Sequence, residues 1–432
     1  MTRRHPCPIV FRTRGPGFHF FGYYDKSPLD RAGRRLLTLH GRFPSNRMFS
    51  VDDIVEVGFW SLGDAEYHRI ADTRAFNWQQ GSQLQWLGPD FDSRIIFNDR
   101  DGDRFISRVV NVADGSEETL PFAVYTVHPA ATSAICINYE RLYFPRLGYS
   151  YQGIANEKWN RPLVEGDGLF RLDLASGAVE LVVETEQMVG RNPVSSMEGA
   201  CHYLEHAMFN PDGSRFAFLH RWLLPDGGIY GRLYTADEWG RDIRCLHDVG
   251  YISHFGWRGS GELTAWGRPK STVSDLRRSR WISRYVIKPL LPLYHQIFTA
   301  QSSARRRLLR DTYLQFDDGG QSSGVLAPGV EFLDDGHCSW RPGDPRWMLT
   351  DTYQDKESNR HLLLYDAEKN EAIEIGRFYS LPETCDSGWR TDLHPRWGHS
   401  GRLVCIDSTH EDGERHQYVL DVSEIVEPES AT

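Results

Sequence analysis

A pattern that recurs along the chain constrains its fold more than any other sequence feature. The pattern is a His, two further residues, a Trp or Phe, a turn containing Gly or Pro, and then an apolar run. Clear copies begin at His206, His254, His337 and His394, and weaker copies lie around Tyr23, Gln83 and Val124. Because internal repetition of this kind is the signature of repeat architectures, the seven copies predict seven equivalent structural units.

Most copies are followed by a second pair of short apolar runs joined by a turn. Examples are "FISRVVNVADGSEETL", "LFRLDLASGAVELV", "RLYTADEWGRDIRCL" and "HLLLYDAEKNEAIEI". Alternating residues around Asp-Gly, Ser-Gly or Lys-Asn turns indicate β-hairpins. Four strands in each of seven units predict an all-β protein, a seven-bladed β-propeller that occupies 1–432 as one domain. The N-terminal "PIVFRT" is expected to close the ring. A pair of β-sandwiches is the alternative, and the uniform repeat disfavours it.

The composition agrees with many short strands and argues against several other classes. The 432 residues include 39 Gly, 22 Pro and 13 Trp, and 40% of them are apolar. No stretch is apolar over the roughly 18 residues that a membrane-spanning helix needs, and the N-terminus lacks the apolar region of a signal peptide. Seven Cys without a CxxC pair are typical of reduced thiols. We therefore expect a cytoplasmic location.

One segment interrupts the fifth unit and differs in composition from the rest. We predict a helical insertion at 268–312, broken at Pro289 and Pro292. From Arg268 to Arg310 there are eleven Lys and Arg against one acid, so the segment carries +10 and the remainder −20, since the total is −10. Basic clusters interleaved with aromatic and aliphatic residues in 271–310 favour peripheral attachment to an anionic surface such as the inner membrane. The alternative is a lid or a loop that holds an acidic polymer. Nucleic acid is not an expected partner, because nothing else in the chain is basic.

The propeller geometry turns the repeated histidines into a candidate site. The first strand of each blade lines the central channel, so the four histidines are expected to lie around one mouth of it. Neutral imidazoles gathered there suit a divalent metal, for which we predict the ligands His254, His337 and His394. The alternative is that each histidine only hydrogen-bonds the next blade. Other residues predicted at this mouth are His206, His220, Arg221 and Tyr139 for catalysis, and Tyr23, Gln83, Arg141 and Asp392 for substrate binding.

Several common catalytic motifs are missing from the sequence. There is no P-loop, no G-x-S-x-G elbow and no convincing G-x-G-x-x-G after a strand. The stretch "DRDGDR" at 99–104 lacks the length and the closing Glu of an EF-hand loop, and it is interpreted as a turn. The candidate chemistry therefore rests on the channel mouth.

The repeated units and the final "DLHPRWGHSGRLVCIDSTHEDG" resemble the oligogalacturonate lyase family, most clearly over the last four blades. The resemblance implies a seven-bladed propeller that holds a divalent metal, usually manganese, through His and Gln, and that cleaves uronate polymers by β-elimination. It places His254 and His394 at metal-ligand positions and His206 beside the catalytic centre. Asp392 and Trp389 stand where the family has further ligands.

These differences and the chemistry of β-elimination define the predicted roles. Asp can ligate a hard cation such as manganese or calcium and Trp cannot, so His337 is expected to complete the metal set. We predict a polysaccharide lyase acting on an acidic oligo- or polysaccharide that contains uronate. The base is His206 or His220, the acid is Tyr139, and the residue that pairs with the uronate carboxylate is Arg221. The alternatives are a glycan- or protein-binding propeller without turnover, and a glycoside hydrolase that uses two of the carboxylates Glu205, Asp351 and Asp407.

Overall fold

The computed structural model describes residues 2–269, 311–319, 323–330, 332, 334–382 and 388–427, and these form a seven-bladed β-propeller, as the repeat predicts. Blade 1 comprises Phe18–Phe20, Arg35–Gly41, Val55–Ser61 and Glu66–Thr73. Blade 2 comprises Gln85–Trp86, Arg94–Asp101, Arg104–Asn111 and Glu117–Leu120. Blade 3 comprises Thr126–Val127, Ser133–Ile137, Gly168–Asp173 and Val179–Glu184. Blade 4 comprises Cys201–Phe209, Arg215–Leu223, Ile229–Asp237 and Arg244–Gly250.

The last three blades complete the ring. Blade 5 comprises Ile252–Arg258, Glu262–Gly267, Thr312–Asp317 and Ser323–Val325. Blade 6 comprises Ser339–Trp340, Trp347–Asp351, Asn359–Asp366 and Glu371–Tyr379, with Arg3–Arg4 added in parallel at its outer edge. Blade 7 comprises Arg396–Trp397, Leu403–Ser408 and His416–Asp421, and its fourth strand is the N-terminal Ile9–Arg12. The prediction that the N-terminal strand closes the ring is therefore confirmed.

Helices are few and short in the described ranges. The α-helices are Tyr139–Leu142, Thr185–Gly190 and Ser423–Val426, and the 3₁₀ helices are Leu147–Tyr149, Glu157–Trp159 and Ser195–Met197. No helix among the described residues is long and apolar enough to cross a membrane.

In blades 2, 5, 6 and 7 the Trp of the repeated motif fastens the blade to the one before it. The indole Nε1 of Trp86 donates to the carbonyl of Pro28, that of Trp257 to Met208, that of Trp340 to the hydroxyl of Thr264, and that of Trp397 to the carbonyl of Ser339. A buried Trp needs such a partner for its N–H while its ring fills the space between two sheets. The Trp recurs because these four blades make the same kind of contact.

Apolar side chains between neighbouring sheets form the core. Leu37 and Leu39 of blade 1 belong to one buried cluster with Ile95 and Phe97 of blade 2. Each such side chain contributes about 1.5–3 kcal/mol on burial. The first strands of blades 5, 6 and 7 contact one another, which places them at the channel and their partners progressively outward.

The basic insertion begins and ends on the face that carries the repeated histidines. It joins the second and third strands of blade 5, where Gly267 pairs with Thr312. Gly267 also pairs with Ile252, two residues before His254. An ion pair of 2.7 and 2.9 Å between Arg268 and Asp311 closes its base. The predicted helices and membrane contact of 271–310 lie outside the described residues.

Candidate functional site

Strand register identifies the channel position that the blades share. In each blade, one residue before the turn that joins the first two strands pairs with the second strand next to that turn. These pairs are Leu29–Leu36, Trp86–Ile95, Val127–Ala134, Phe209–Phe216, Trp257–Leu263, Trp340–Met348 and Trp397–Val404. The channel position lies three residues before the first member of each pair. The shared positions are thus Lys26, Gln83, Val124, His206, His254, His337 and His394. In blade 1 the register assigns this position to Lys26 and not to Tyr23, around which the sequence places the copy.

Tyr23 instead lies at the centre of the histidines. Its ring centroid is 5.2 Å from that of His206 and 5.3 Å from that of His394. The corresponding distances to His337 and His254 are 6.1 and 6.5 Å. All five side chains are buried, and the structure therefore brings together four of the predicted histidines around one tyrosine.

Three of the buried residues could hold a metal ion. One ligand atom from each of His337, Asp392 and His394 lies within 4.8 Å of the other two. His254 adjoins them, since its ring centroid is 4.1 Å from that of His337. In the part of the chain that the structure describes, Nε2 of His394 is buried without a hydrogen-bond partner. The donors are those that divalent transition metals accept.

Neighbouring carboxylates orient two of these imidazoles. Nδ1 of His254 lies 3.1 Å from Asp335, and Nδ1 of His337 lies 2.9 Å from Asp351. In metal sites such carboxylates fix the ring and leave the other nitrogen free for the ion. Burial, and then the neighbouring His337, lowers the pKa of His254, and the same two causes lower that of His394 well below the usual value. His254 and His394 are therefore neutral at pH 7, and the residues present fit a divalent cation.

Glu205 organises the opposite side of the cluster. Its Oε1 is 2.6 Å from Arg146, 2.5 Å from Arg221 and 3.3 Å from Nδ1 of His206. Burial opposes ionisation of Glu205, but Arg146, His206 and Arg221 outweigh it and keep the carboxyl pKa well below its usual range. Burial lowers the pKa of His206 to about 4, although Glu205 partly offsets it. His206 is thus a neutral base held against a carboxylate.

A second arginine group surrounds Asp392. The carboxylate is 2.8 Å from Arg360 and 2.9 Å from Arg390, and both guanidinium groups lie over the ring of Tyr353 at about 6 Å. The charges of Arg390 and Arg360 outweigh burial and keep the pKa of Asp392 well below its usual value. Tyr149 lies beside the first group, since Arg146 sits 3.9 Å from its ring centroid.

Three predicted site residues are placed in structural roles. His220 is fully buried with Nε2 3.1 Å from Nδ1 of His202, on the side of the strand away from Glu205. Tyr139 stacks on Tyr151 at 4.2 Å, and its hydroxyl donates to the carbonyl of Val124. Arg141 is buried and donates to three main-chain carbonyls, which are those of Trp159, Pro162 and His202.

Other predicted residues do line the channel. Gln83 is buried at the shared position, and its side-chain amide is a hydrogen-bonding neighbour of the hydroxyl of Tyr139. Gln83, His206 and His394 have positive φ values of 56°, 57° and 42°. A non-glycine residue in this region is strained, and such residues concentrate at functional sites.

Sequence reasoning missed Lys26 and three of the arginines, which are Arg146, Arg360 and Arg390. Lys26 is buried with Nζ 2.6 Å from Asp25, and strict alignment to the turn of blade 1 would have found it. Arg390 stands two residues before Asp392, a spacing that places both on one side of an extended chain. Arg146 comes from the loop of blade 3, and the sequence gives no signal of its contact with Glu205.

The sequence matches no protein-family model and no curated protein. Among solved structures, the chain is similar to an oligogalacturonate lyase in complex with manganese, with a TM-score of 0.58, 14% identity and 98% of each chain covered. It is also similar to an oligogalacturonate lyase from Vibrio parahaemolyticus, with a TM-score of 0.60, 13% identity and coverage of 96% of this chain and 93% of that one. The β-propeller domain of the trilobed protease from Pyrococcus furiosus gives a TM-score of 0.51 at 9% identity, with 93% of this chain and 96% of that one covered. At these identities the similarity establishes the propeller fold.

Proposed function

We propose that this protein is a carbohydrate lyase that cleaves a uronate-containing glycan by β-elimination at the channel mouth. The observation that carries the proposal is the position of His206, a buried neutral imidazole, across Tyr23 from the metal-capable group of His337, Asp392 and His394. Elimination needs a base for the C5 proton and a positive centre for the adjacent carboxylate. The similarity to oligogalacturonate lyases agrees with this choice of reaction.

The two sides of the site supply different parts of the reaction. His337, His394 and Asp392, with His254 beside them, would hold a divalent cation, which when bound neutralises the uronate carboxylate and acidifies the C5 proton. His206 accepts that proton, and Glu205 stabilises the imidazolium that forms.

The charges of the site explain why a cation matters for binding an acidic substrate. Four arginines and four carboxylates meet here, and their charges cancel when the imidazoles are neutral. The arginines are Arg146, Arg221, Arg360 and Arg390, and the carboxylates are Glu205, Asp335, Asp351 and Asp392. A divalent cation would leave a net charge of +2 to meet the uronate. We therefore expect substrate affinity to depend on the metal.

A hydrolytic mechanism is less consistent with the surrounding contacts. It requires two carboxyl groups, one of them protonated, on either side of the scissile bond. Glu205 is held ionised by two arginines, Asp351 accepts from His337, and Asp407 is paired with Arg396. None of these three carboxylates is free to act as the acid.

The test compares two buried histidines of blade 4. The purified protein is incubated with oligouronides of different linkage, and the unsaturated product is followed by its ultraviolet absorbance. His206→Gln is expected to lower kcat by at least about 100-fold, the contribution typical of a general base. His220→Gln, the matched control, should retain activity. Equal activity of the two variants would contradict the role of His206, and saturated products would indicate hydrolysis.

Metal content provides a second test that does not depend on turnover. Elemental analysis is expected to find a divalent metal in the wild type and in His399→Ala, a variant of a blade 7 histidine that packs on Phe91. The metal should be missing from His394→Ala. Equal metal content in the two variants would exclude the site at His394.

A further inference from the structure

The hydroxyl of Tyr23 is an unsatisfied polar group at the centre of the site. The residue is only 3% exposed, and within the described residues its Oη has no hydrogen-bond partner. Buried hydroxyl groups in native proteins are almost always hydrogen-bonded, so an exception at a functional site calls for an explanation. A ligand that enters the channel mouth and accepts a hydrogen bond from Tyr23 provides one.

Contacts on both sides hold Tyr23 in place. The hydroxyl of Tyr24 donates to the carbonyl of Phe255 at 2.8 Å and accepts from the N–H of Phe255 at 3.0 Å, which fastens this segment to blade 5. The carbonyl of Tyr23 accepts from Nε of Arg396 in blade 7 at 2.9 Å. The residue is therefore rigid, and its free hydroxyl is not the result of a mobile side chain.

Three other buried tyrosines nearby have partners for their hydroxyl groups, whereas the hydroxyl of Tyr203 in blade 4, like that of Tyr23, has none within the described residues. The hydroxyl of Tyr125 accepts from Nε2 of Gln80 at 2.7 Å, that of Tyr151 accepts from Nδ2 of Asn98 at 2.9 Å, and that of Tyr139 donates to Val124. Among the tyrosines that the structure describes, Tyr23 is the one whose ring contacts both His206 and His394.

We propose that Tyr23 is the catalytic acid that protonates the leaving oxygen, a role that rests on the proposed elimination. His206 takes the proton from C5, the electron pair forms the C4–C5 double bond, and the C4–O bond breaks. The departing oxygen takes the proton of the Tyr23 hydroxyl, and the proton on His206 returns to the phenolate. One proton thus moves from C5 to the leaving group, and the enzyme is restored.

The electrostatic surroundings agree with a donor. The ordinary pKa of a tyrosine is about 10, so the hydroxyl keeps its proton at neutral pH. Transfer of that proton leaves a phenolate, and the imidazolium that forms on His206, 5.2 Å away between ring centroids, stabilises its negative charge. Tyr23 replaces the predicted acid Tyr139, whose hydroxyl is already bonded.

The experiment measures Tyr23→Phe on two substrates that differ in their leaving group. On an oligouronide, kcat is expected to fall by at least about 100-fold while KM stays within a few-fold, as for loss of a general acid. On a uronide that bears a nitrophenyl ether at C4, whose phenolate leaves without protonation, the loss should be less than about tenfold, because general-acid assistance then contributes little. Tyr125→Phe, which removes a nearby hydroxyl bonded to Gln80, is the control and should lose little on either substrate.

The outcomes separate this proposal from the one on which it rests. Equal losses of Tyr23→Phe on both substrates, or a change confined to KM, would overturn the donor role while leaving the lyase assignment intact. A wild-type protein that eliminates neither substrate would overturn the lyase assignment and the donor role together. Unfolding midpoints and metal content of Tyr23→Phe are measured in parallel and should match the wild type.

Discussion

A buried ion pair in blade 7 makes a sharp prediction about stability. Arg396 is 1% exposed and Asp407 is 3% exposed, and the pair is bidentate, at 3.0 and 2.9 Å. Arg396 also donates to the carbonyls of Tyr23 and Gly22, and Asp407 accepts from the N–H of Phe21 at 3.3 Å. The pair therefore joins blade 7 to the segment that carries Tyr23.

Asp407→Asn keeps the shape of the side chain and removes its charge. The guanidinium of Arg396 is then buried without a countercharge, which costs about 3–5 kcal/mol. At roughly 2.1 cal/mol/K per residue, unfolding of a chain of this length has an entropy of about 0.9 kcal/mol/K, so the thermal midpoint should fall by about 3–6 °C. Urea unfolding measures the loss of free energy, and calorimetry measures the shift of the thermal midpoint.

Asp366→Asn in blade 6 is the matched control. Asp366 binds Arg346 with the same bidentate geometry, at 2.9 and 2.6 Å, but the side chain of Arg346 is 30% exposed and has a second partner in Glu368 at 3.1 Å. Because water and Glu368 compensate Arg346, this change should cost about 1 kcal/mol or less. If the two variants lost the same stability, or if Asp407→Asn lost less than its control, the argument from burial would be wrong.

Three further predictions concern the channel mouth. The folded protein holds the pKa of His206 at about 4, below the ordinary value of 6.5, so its stabilisation is complete above about pH 6.5 and is lost as the pH falls towards 4. Unfolding free energies measured at intervals across that range should decline, and a flat profile would contradict the burial of a neutral imidazole. Dialysis against a chelator should lower the thermal midpoint of the wild type but leave that of His394→Ala unchanged, since ligand binding stabilises only a protein that has the site. Gln83→Gly relieves a positive φ that costs roughly 1–2 kcal/mol for an L-residue. Urea unfolding should therefore detect no loss of stability beyond about 1 kcal/mol, and a larger loss would refute the strain.

The sequence predicts the parts of the molecule that the repeat encodes. The fold and the gathering of four histidines follow from one motif, because the Trp or Phe of the motif and the His three residues before it are set by the same strand register. Blades 1 and 3 have neither the His nor the Trp, and in blade 1 the channel position belongs to Lys26, three residues after Tyr23.

The repeat does not predict the contacts that loops make. Arg146 reaches Glu205 from a long connection in blade 3, where no periodicity constrains a side chain. The misplacement of His220 was avoidable, however. Adjacent residues of a strand point to opposite faces, so His220 and Arg221 cannot both face Glu205, and Arg221 is the one that does.

The channel mouth contains features that destabilise a protein, which is itself an argument that it binds something. Gln83, His206 and His394 each hold a left-handed backbone conformation that costs roughly 1–2 kcal/mol for an L-residue. Side chains of Tyr23 and His394 also carry buried polar atoms that lack partners among the described residues. Packing alone would favour glycine at the strained positions and apolar side chains at the unpaired ones. The hydrogen bonds of the repeated Trp residues and the Arg396–Asp407 ion pair stabilise the protein outside the mouth. This stability offsets the strain at the mouth, where the unpaired polar atoms remain available to bind a substrate and a metal.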